Sequence, residues 1–423
     1  MNWRLNKLIE FAKNSFQREI GIFDKKEDKR RKDFEEYFLR NKYSNEKPTP
    51  TRITDYELIP RSDYSLEAQP KFMGQNGIVY GTSGIGSRRE IFKSEDCWKT
   101  VEEILEIPDG YGGLTNAALV ESDTGRLVIC TDEGAVFVTD EEKLSVPDTP
   151  EFEFSSGYPT MSIGFHKYRN YILLAEYGGY DEEDPPRRIY ASQDDGETWH
   201  KILEISLDNI PDPSQFHIHN VRYDYFIDRI WVVTGDGGGN SFVYYSDNFG
   251  DDWSRFNAAM LTSISIFEHG ITFGTDTEPM GLRHWIRPQN ILRPEIILDD
   301  EDDGHWKNED TLIRDYLRFF TPEESDLQGW ARNSYVTDEG IHVIPFHTTS
   351  REIERSNIIA TKDGINWYEV FRYNDLSDNE REETHFWNLV GPHSDDEKRK
   401  VCGFMMKGGS PHIFRATGFP KWK

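Results

Sequence analysis

Residues 192–199 read Ser-Gln-Asp-Asp-Gly-Glu-Thr-Trp, and this pattern, Ser-x-Asp-x-Gly-x-Thr-Trp, recurs in altered form elsewhere in the chain. Short polar side chains satisfy the amides of a tight turn, the glycine permits a positive φ, and the tryptophan can pack against a neighbouring sheet. The other copies are Ser246-Asp-Asn248-Phe-Gly250-Asp-Asp252-Trp253, the shorter Thr361-Lys-Asp363-Gly364-Ile-Asn-Trp367, and the decayed Ser94-Glu-Asp96-Cys-Trp98. The recurrence predicts one turn, used at the same place of a repeating unit.

The chain around these turns is a series of short apolar runs bounded by Gly, Asp, Asn and Pro, which is typical of strands and tight turns. Seven units begin near residues 71, 115, 158, 216, 261, 329 and 385. The last unit has three clear strands, and the orphan run Ile-Thr-Asp-Tyr-Glu-Leu-Ile-Pro at 53–60 can complete it and close a ring. We therefore predict an all-β fold, a β-propeller of about seven four-stranded blades, with six blades as the alternative.

The repeated turn resembles the Asp-box (BNR) repeat of sialidases and their relatives, and the resemblance covers roughly residues 53–420. It implies a sialidase-like propeller in which each box is a structural hairpin between the two outer strands of a blade, away from the active face. The box residues to which it assigns this structural role are Ser192, Asp194, Gly196, Trp199, Ser246, Asn248, Gly250, Trp253, Asp363, Gly364 and Trp367.

Two domains are expected, a helical N-terminal extension over residues 1–48 and the propeller over residues 49–423. Apolar residues recur at three- and four-residue intervals within residues 3–23, with Lys and Arg between them, which predicts an amphipathic helix. One interpretation is that this helix contacts a membrane surface or a partner protein. The other is that it packs on the underside of the propeller.

Net charge limits the partners of the chain. The 423 residues carry a formal charge of −27, which argues against nucleic acid or an anionic membrane as a partner of the propeller body.

Three widely spaced cysteines fit buried thiols rather than a metal site. With neither a visible signal peptide nor a long apolar run, a soluble, cytoplasmic protein is the default expectation, and peripheral membrane or virion association is the alternative.

If the boxes join strands three and four, the opposite face is built from the segments entering each innermost strand and from the loops between strands two and three. His217 and His219 alternate along one strand there, and two imidazoles on one face can bind a divalent metal or supply a general base. The candidate catalytic residues are His217, His219, Glu176, Tyr177 and Asp236. The candidates for substrate binding are Arg332, Asn333, Arg89, Arg351, Asp276 and Trp387.

The function expected from the resemblance is action on a glycan, or recognition of one, through this opposite face. Sialidases place an arginine before Ile-Pro near the start of the domain, whereas Leu58 precedes Ile59-Pro60 here. That departure argues against true sialidase activity. A glycoside hydrolase or a polysaccharide lyase stays open beside a non-catalytic scaffold that binds glycan or protein. No cofactor is evident apart from the metal that His217 and His219 could hold.

Overall fold

The computed structural model describes residues 53–60, 68–83, 88–114, 118–140, 145–155, 166–168, 171–177, 183–236, 239–258, 260–275, 281–286, 313–315, 330–331, 334–347, 356–364, 367–373, 385–407 and 410–421. The helix expected within residues 1–48 lies outside these ranges. Among the residues described, no helix is long and apolar enough to cross a membrane.

Strands account for nearly all the regular structure of the described residues. In chain order the first thirteen are β1 (Asp55–Pro60), β2 (Ala68–Met73), β3 (Val79–Ser83), β4 (Glu90–Ser94), β5 (Glu102–Glu106), β6 (Ala118–Glu121), β7 (Leu127–Cys130), β8 (Ala135–Val138), β9 (Phe152–Glu153), β10 (His166–Tyr168), β11 (Tyr171–Ala175), β12 (Arg188–Ser192) and β13 (His200–Glu204). The next eight are β14 (His217–Asp224), β15 (Arg229–Gly235), β16 (Phe242–Ser246), β17 (Ser254–Asn257), β18 (Leu261–Phe267), β19 (Gly270–Thr275), β20 (Gly281–Ile286) and β21 (Ile313–Asp315). The last eight are β22 (Trp330–Ala331), β23 (Tyr335–Val336), β24 (His342–His347), β25 (Ser356–Thr361), β26 (Tyr368–Tyr373), β27 (His385–Val390), β28 (Val401–Lys407) and β29 (Ser410–Thr417). Short 3-10 turns lie at Gln75–Gly77, Leu207–Asn209 and Pro213–Gln215.

The described strands form six hydrogen-bonded sheets, as in a β-propeller. Five of them are four-stranded meanders, β2–β5, β6–β9, β10–β13, β14–β17 and β18–β21, here blades 1 to 5. The sixth has nine strands, and one residue pair, His347 with His385, joins its two parts. These parts are blade 6, with β22 and β23 both paired to β24 and then β25 and β26, and blade 7, with β27, β28, β29 and β1. The predicted propeller is confirmed: there are six continuous sheets, or seven units when the largest sheet is divided at its single bridge.

Closure of the ring uses the orphan strand identified in the sequence. β1 pairs antiparallel with β29 from Asp55 opposite Thr417 to Pro60 opposite His412, so a strand from the start of the propeller becomes the outermost strand of blade 7. An apolar cluster that includes Phe371, Phe386 and Phe414 packs blades 6 and 7 together. The N- and C-terminal parts of the propeller are thus held in one sheet.

Each box lies between the third and fourth strands of its blade. In blade 3, Ser192 Oγ accepts a hydrogen bond from the Gly196 N–H at 2.8 Å, and Asp194 Oδ1 accepts one from the Thr198 N–H at 2.8 Å. Gly196 has a φ of +94°, a conformation that favours glycine. Asp195 reaches blade 2, where its two oxygens accept the N–H groups of residues 123 and 124 at 2.9 and 2.8 Å. The polar residues of this box therefore serve the turn and the contact between blades.

Apolar side chains between neighbouring blades form the core. In blade 1 the indole of Trp98 is fully buried and lies so close to β3 that a Cβ at Gly81 would come within 2.2 Å of it. The three cysteines are buried and free, as expected from their spacing.

A buried histidine makes stability depend on pH. Burial, together with the charge of Arg222, lowers the pKa of His342 to about 3. His342 therefore stays neutral in the folded protein at pH values where an unfolded histidine is protonated. Because the unfolded state then binds the extra proton, we expect the free energy of unfolding to fall by about 1.4 kcal/mol for each pH unit below about 6.5.

The variant His342→Phe tests this dependence, since the ring already lies 4.2 Å from that of Phe267, centroid to centroid. Chemical denaturation of both proteins between pH 6.5 and 4.5 should give a shallower decline for the variant. Equal slopes would show that His342 does not control the dependence.

Candidate functional site

Antiparallel pairing brings three candidate side chains to one edge of blade 4. His217 begins the innermost strand β14 and lies opposite Gly235, the last residue of β15, so Asp236 follows directly beside it. The register shifts between Ile218 and Asn220, which lie opposite the consecutive residues Thr234 and Val233, so the strand bulges at His219. A bulge of this kind changes the direction of a side chain. Here it accompanies the approach of His219 to His217.

The three side chains meet through specific atoms. The Nε2 atoms of His217 and His219 are 3.0 Å apart. Asp236 Oδ2 lies 3.0 Å from His217 Nε2, and Asp236 Oδ1 lies 3.2 Å from His219 Nε2. Both imidazoles are buried, whereas the carboxylate is 35% exposed. Asp236 is therefore the most exposed of the three side chains.

The tautomer of His219 follows from its second contact. Its Nδ1 lies 2.6 Å from the carbonyl oxygen of Leu261, at the start of β18 in the next blade. Because a carbonyl oxygen only accepts, Nδ1 carries the proton, and in the neutral ring Nε2 presents its lone pair to the cluster. A side chain at Gly235 would displace this ring, since its Cβ would come within 2.2 Å of His219 Cε1.

The electrostatics of the cluster favour an ionised carboxylate between neutral imidazoles. Burial alone would raise the pKa of Asp236, but the neighbouring His217 and His219 side chains outweigh it and hold that pKa well below its ordinary value. Burial lowers the pKa of His217, with a contribution from His219, while Asp236 opposes the shift. Two nitrogen donors and one anionic oxygen thus face each other.

This donor set fits a divalent metal ion. At metal–ligand distances of about 2.0–2.1 Å, two ligand atoms are about 2.9 Å apart at right angles and about 3.3 Å apart in a tetrahedron. The two nitrogens are 3.0 Å apart, and each lies within this interval of its own Asp236 oxygen, His217 at 3.0 Å from Oδ2 and His219 at 3.2 Å from Oδ1. Two histidines and one carboxylate on one side of an ion are a known arrangement that leaves the other positions open. Among the described residues, this is the group of His, Cys, Asp and Glu side chains that could hold a metal.

Tyr177 connects the cluster with blade 3. Its ring centroid is 4.3 Å from that of His217 and 6.3 Å from that of His219. Tyr177 is partly exposed, and it is the second residue after the second strand of its blade. The structure therefore places a phenol, one of the predicted catalytic groups, in ring contact with the two imidazoles.

Glu176 has different surroundings from the other predicted catalytic residues. Its side chain is fully buried, and it accepts the backbone N–H groups of Ser155, Arg187 and Arg188 at 3.1, 3.0 and 3.1 Å. The Arg188 guanidinium adds a further contact at 3.3 Å. A carboxylate held in this way neutralises a buried cation and anchors two loops, so we assign Glu176 a structural role.

Replacing Glu176 by Gln tests this assignment. Gln cannot accept all of these hydrogen bonds and leaves Arg188 with less compensation, so we expect a loss of about 3–5 kcal/mol in the free energy of unfolding. Metal affinity, measured by titration calorimetry at a temperature where the variant is folded, should stay within about threefold of wild type, a change worth under 1 kcal/mol. Loss of metal binding in a folded variant would show that Glu176 contributes to the functional site.

The predicted substrate-binding residues do not converge on the cluster in the described part of the chain. Arg89 is ion-paired with Glu106 at 2.6 Å and with Asp109, so its guanidinium is already engaged. Trp387 packs against the apolar cluster between blades 7 and 1. Four others lie outside the described residues, namely Arg332, Asn333, Arg351 and Asp276.

Two contributors to the site were not identified from the sequence. One is the carbonyl group of Leu261, which fixes the tautomer of His219 and has no side-chain signature. The other is Asn240, which hydrogen-bonds the main chain of Asp236 at 2.8 Å. An asparagine after a run of glycines looks like any loop residue, although its place four residues after Asp236 was the available signal.

Comparison with known proteins identifies the fold alone. No family model matches the chain, and no curated protein matches it in sequence. A chain of a mitotic checkpoint complex structure superposes with a TM-score of 0.51 at 10% identity, over 88% of this chain and 94% of that one. YCF48 from Cyanidioschyzon merolae gives a TM-score of 0.48 at 13% identity, over 85% and 99% of the two chains. The extracellular domain of BT4673 from B. thetaiotaomicron gives 0.48 at 10% identity over 86% of this chain, which spans 40% of the length of that one.

Proposed function

We propose that the chain is a metal-dependent, carbohydrate-active propeller that binds an acidic glycan at the His217–His219–Asp236 cluster and cleaves it by elimination. The observation that carries the proposal is the approach of two imidazole nitrogens and one carboxylate to 3.0–3.2 Å of each other at the end of β15. The repeated box supplies a sequence resemblance to sialidases, which act on glycans, and the cluster supplies the chemistry.

Charge selects the class of ligand. Asp236 is the one anionic group in the ligand set, so a bound divalent ion keeps a net positive charge and open coordination positions. An anionic oxygen, such as the carboxylate of a uronic acid, suits those positions. The chain as a whole carries −27, so a local cation would also offset repulsion of a polyanionic glycan.

Elimination fits the described residues better than hydrolysis by paired acids. Glycoside hydrolysis of that kind needs two carboxyl groups about 5–9.5 Å apart across the scissile bond. Asp236 is held by both imidazoles, and Glu176 is buried and saturated with hydrogen bonds. Elimination needs instead a group that stabilises the substrate carboxylate and one that removes the neighbouring proton.

The chain's own groups can be assigned to these steps. When bound, the ion would act as a Lewis acid on the substrate carboxylate. Tyr177, in ring contact with His217, is the candidate base, and as its phenolate it would take the proton from the carbon next to that carboxylate. The released electron pair forms the carbon–carbon double bond, the bond from the adjacent ring carbon to the glycosidic oxygen breaks, and that oxygen takes up the proton that Tyr177 removed.

The test uses the full chain, stripped with a chelator and reloaded with Mn²⁺, Zn²⁺ or Ca²⁺. Each form is incubated with polyuronates such as pectate and alginate and with a neutral glucan. We expect metal-dependent growth of the ultraviolet absorbance of an unsaturated product on a polyuronate only. New reducing ends without that absorbance would show hydrolysis and contradict elimination. Binding without any product would show that the chain is a glycan-binding scaffold and not an enzyme.

A further inference from the structure

We propose that Asn240 is a positioning residue that holds Asp236 in the geometry needed to bind the metal. This inference rests on the proposed function, because it concerns the same cluster. Asn240 itself contacts neither imidazole in the described structure, and it acts through the main chain of Asp236.

The carboxamide of Asn240 is fully buried and has a single workable orientation. Its Oδ1 accepts the N–H of Asp212 at 3.0 Å. Its Nδ2 donates to the carbonyl oxygens of Asp212 and Asp236 at 2.7 and 2.8 Å. Both N–H groups and the oxygen are thus engaged. If the amide were flipped, its NH2 group would face the Asp212 N–H and its oxygen would face two carbonyl oxygens.

The main chain of Asp236 is consequently held at both its N–H group and its carbonyl group. Its N–H donates to the carbonyl of Gln215 at 2.9 Å, and its own carbonyl accepts from Asn240. Asn240 is in turn fixed to β15, because Thr234 Oγ1 donates to its carbonyl at 2.7 Å. The network joins the end of β15 to the segment that leads into β14.

Asp236 needs this support more than the two histidines do. It follows the last residue of β15 and is flanked by glycines at 235, 237, 238 and 239, which favour many backbone conformations in an unrestrained chain. His217 lies within β14, and His219 is fixed by the carbonyl of Leu261. A carboxylate on a restrained backbone binds a metal with less loss of conformational entropy.

The geometry also explains why asparagine rather than aspartate is required at position 240. An aspartate could still accept from the Asp212 N–H, but it would turn a second oxygen toward two carbonyl groups that need a donor. Both Asn240→Ala and Asn240→Asp should therefore release Asp236 while leaving the histidines in place.

The experiment measures Mn²⁺ affinity by calorimetry and the Cu²⁺ electron paramagnetic resonance spectrum for the full-length wild type, Asn240→Ala and Asp236→Asn. The matched control is Asn388→Ala in blade 7, since Asn388 makes the same type of contact, donating to the Pro70 carbonyl at 2.6 Å and accepting from the Phe404 N–H at 2.9 Å. Asn240→Ala should weaken Mn²⁺ binding about 10- to 100-fold, the usual effect of losing a group that orients a metal ligand. Its Cu²⁺ spectrum should match that of Asp236→Asn, with nitrogen hyperfine coupling retained, and Asn388→Ala should match wild type.

The outcomes separate this inference from the proposed function. Unchanged Mn²⁺ affinity and an unchanged Cu²⁺ spectrum in Asn240→Ala would overturn the positioning role while leaving the metal site intact. Equal losses in Asn240→Ala and Asn388→Ala would also overturn it, because they would reflect general destabilisation. A wild-type chain that binds no metal would overturn the proposed function itself.

Discussion

Replacing Asp236 by Asn is expected to weaken Mn²⁺ binding by more than about 100-fold, since removal of an outer-shell partner alone typically weakens binding about 10- to 100-fold. The substitution keeps the size of the side chain but removes the one negative charge of the cluster. It also replaces one of the oxygens that face the two imidazoles at 3.0 and 3.2 Å by an amide N–H, which cannot be a ligand. Calorimetric titration of the chelator-treated protein measures the change, and the elimination assay should lose its metal-dependent activity in parallel.

The control for this substitution is Asp228→Asn in the same blade. Asp228 lies in the turn between β14 and β15, at the opposite end of these strands, and accepts a hydrogen bond from the Tyr223 hydroxyl at 2.6 Å. That variant should bind Mn²⁺ like wild type. If Asp236→Asn also bound within about threefold of wild type, under 1 kcal/mol, the carboxylate would not be a ligand.

Replacing Trp98 by Ala is expected to lower the free energy of unfolding by about 3–5 kcal/mol, the usual effect of deleting a large aromatic side chain from a core. The indole is fully buried, lies against Gly81, and donates from Nε1 to the Ala68 carbonyl at 3.3 Å. The alanine variant leaves a cavity and a buried carbonyl with one partner fewer. Chemical denaturation followed by circular dichroism measures the change.

Trp199→Ala in the complete box of blade 3 is the comparison. This indole is partly exposed and donates to the Gly196 carbonyl of its own turn at 3.1 Å, so its removal should have a clearly smaller effect. Equal losses at the two positions would show that burial between the blades does not determine what a box tryptophan contributes. A change below about 1 kcal/mol for Trp98→Ala would contradict the packing described for blade 1.

Much of the fold could be predicted because the same pattern of strands and turns recurs in several units of the chain. The box pattern, the spacing of apolar runs and the missing strand of the last unit together gave the propeller and its closure through residues 53–60. The pairing of β1 with β29 confirms that closure. Whether the ring is counted as six sheets or seven units depends on the single pair His347 and His385, which no sequence pattern can specify.

The site could be predicted only in part, since its geometry depends on register and on main-chain groups. The sequence identified His217 and His219 through their spacing and Asp236 through its place after a strand. Their convergence requires the pairing of His217 with Gly235 and the shift at His219, which are properties of the folded sheet. For Glu176, a carboxylate after a strand looks the same in sequence whether it is catalytic or a buried partner of Arg188.

The most direct test of the central claim is the Cu²⁺ electron paramagnetic resonance spectrum of the chelator-treated full-length chain. The cluster predicts one tightly held ion per chain, with hyperfine coupling from the two imidazole nitrogens of His217 and His219. Both the coupling and the tight binding should be lost in the double variant His217→Ala/His219→Ala. A spectrum without nitrogen coupling in the wild-type chain, as expected for an ion on the acidic surface, would contradict the proposed metal centre.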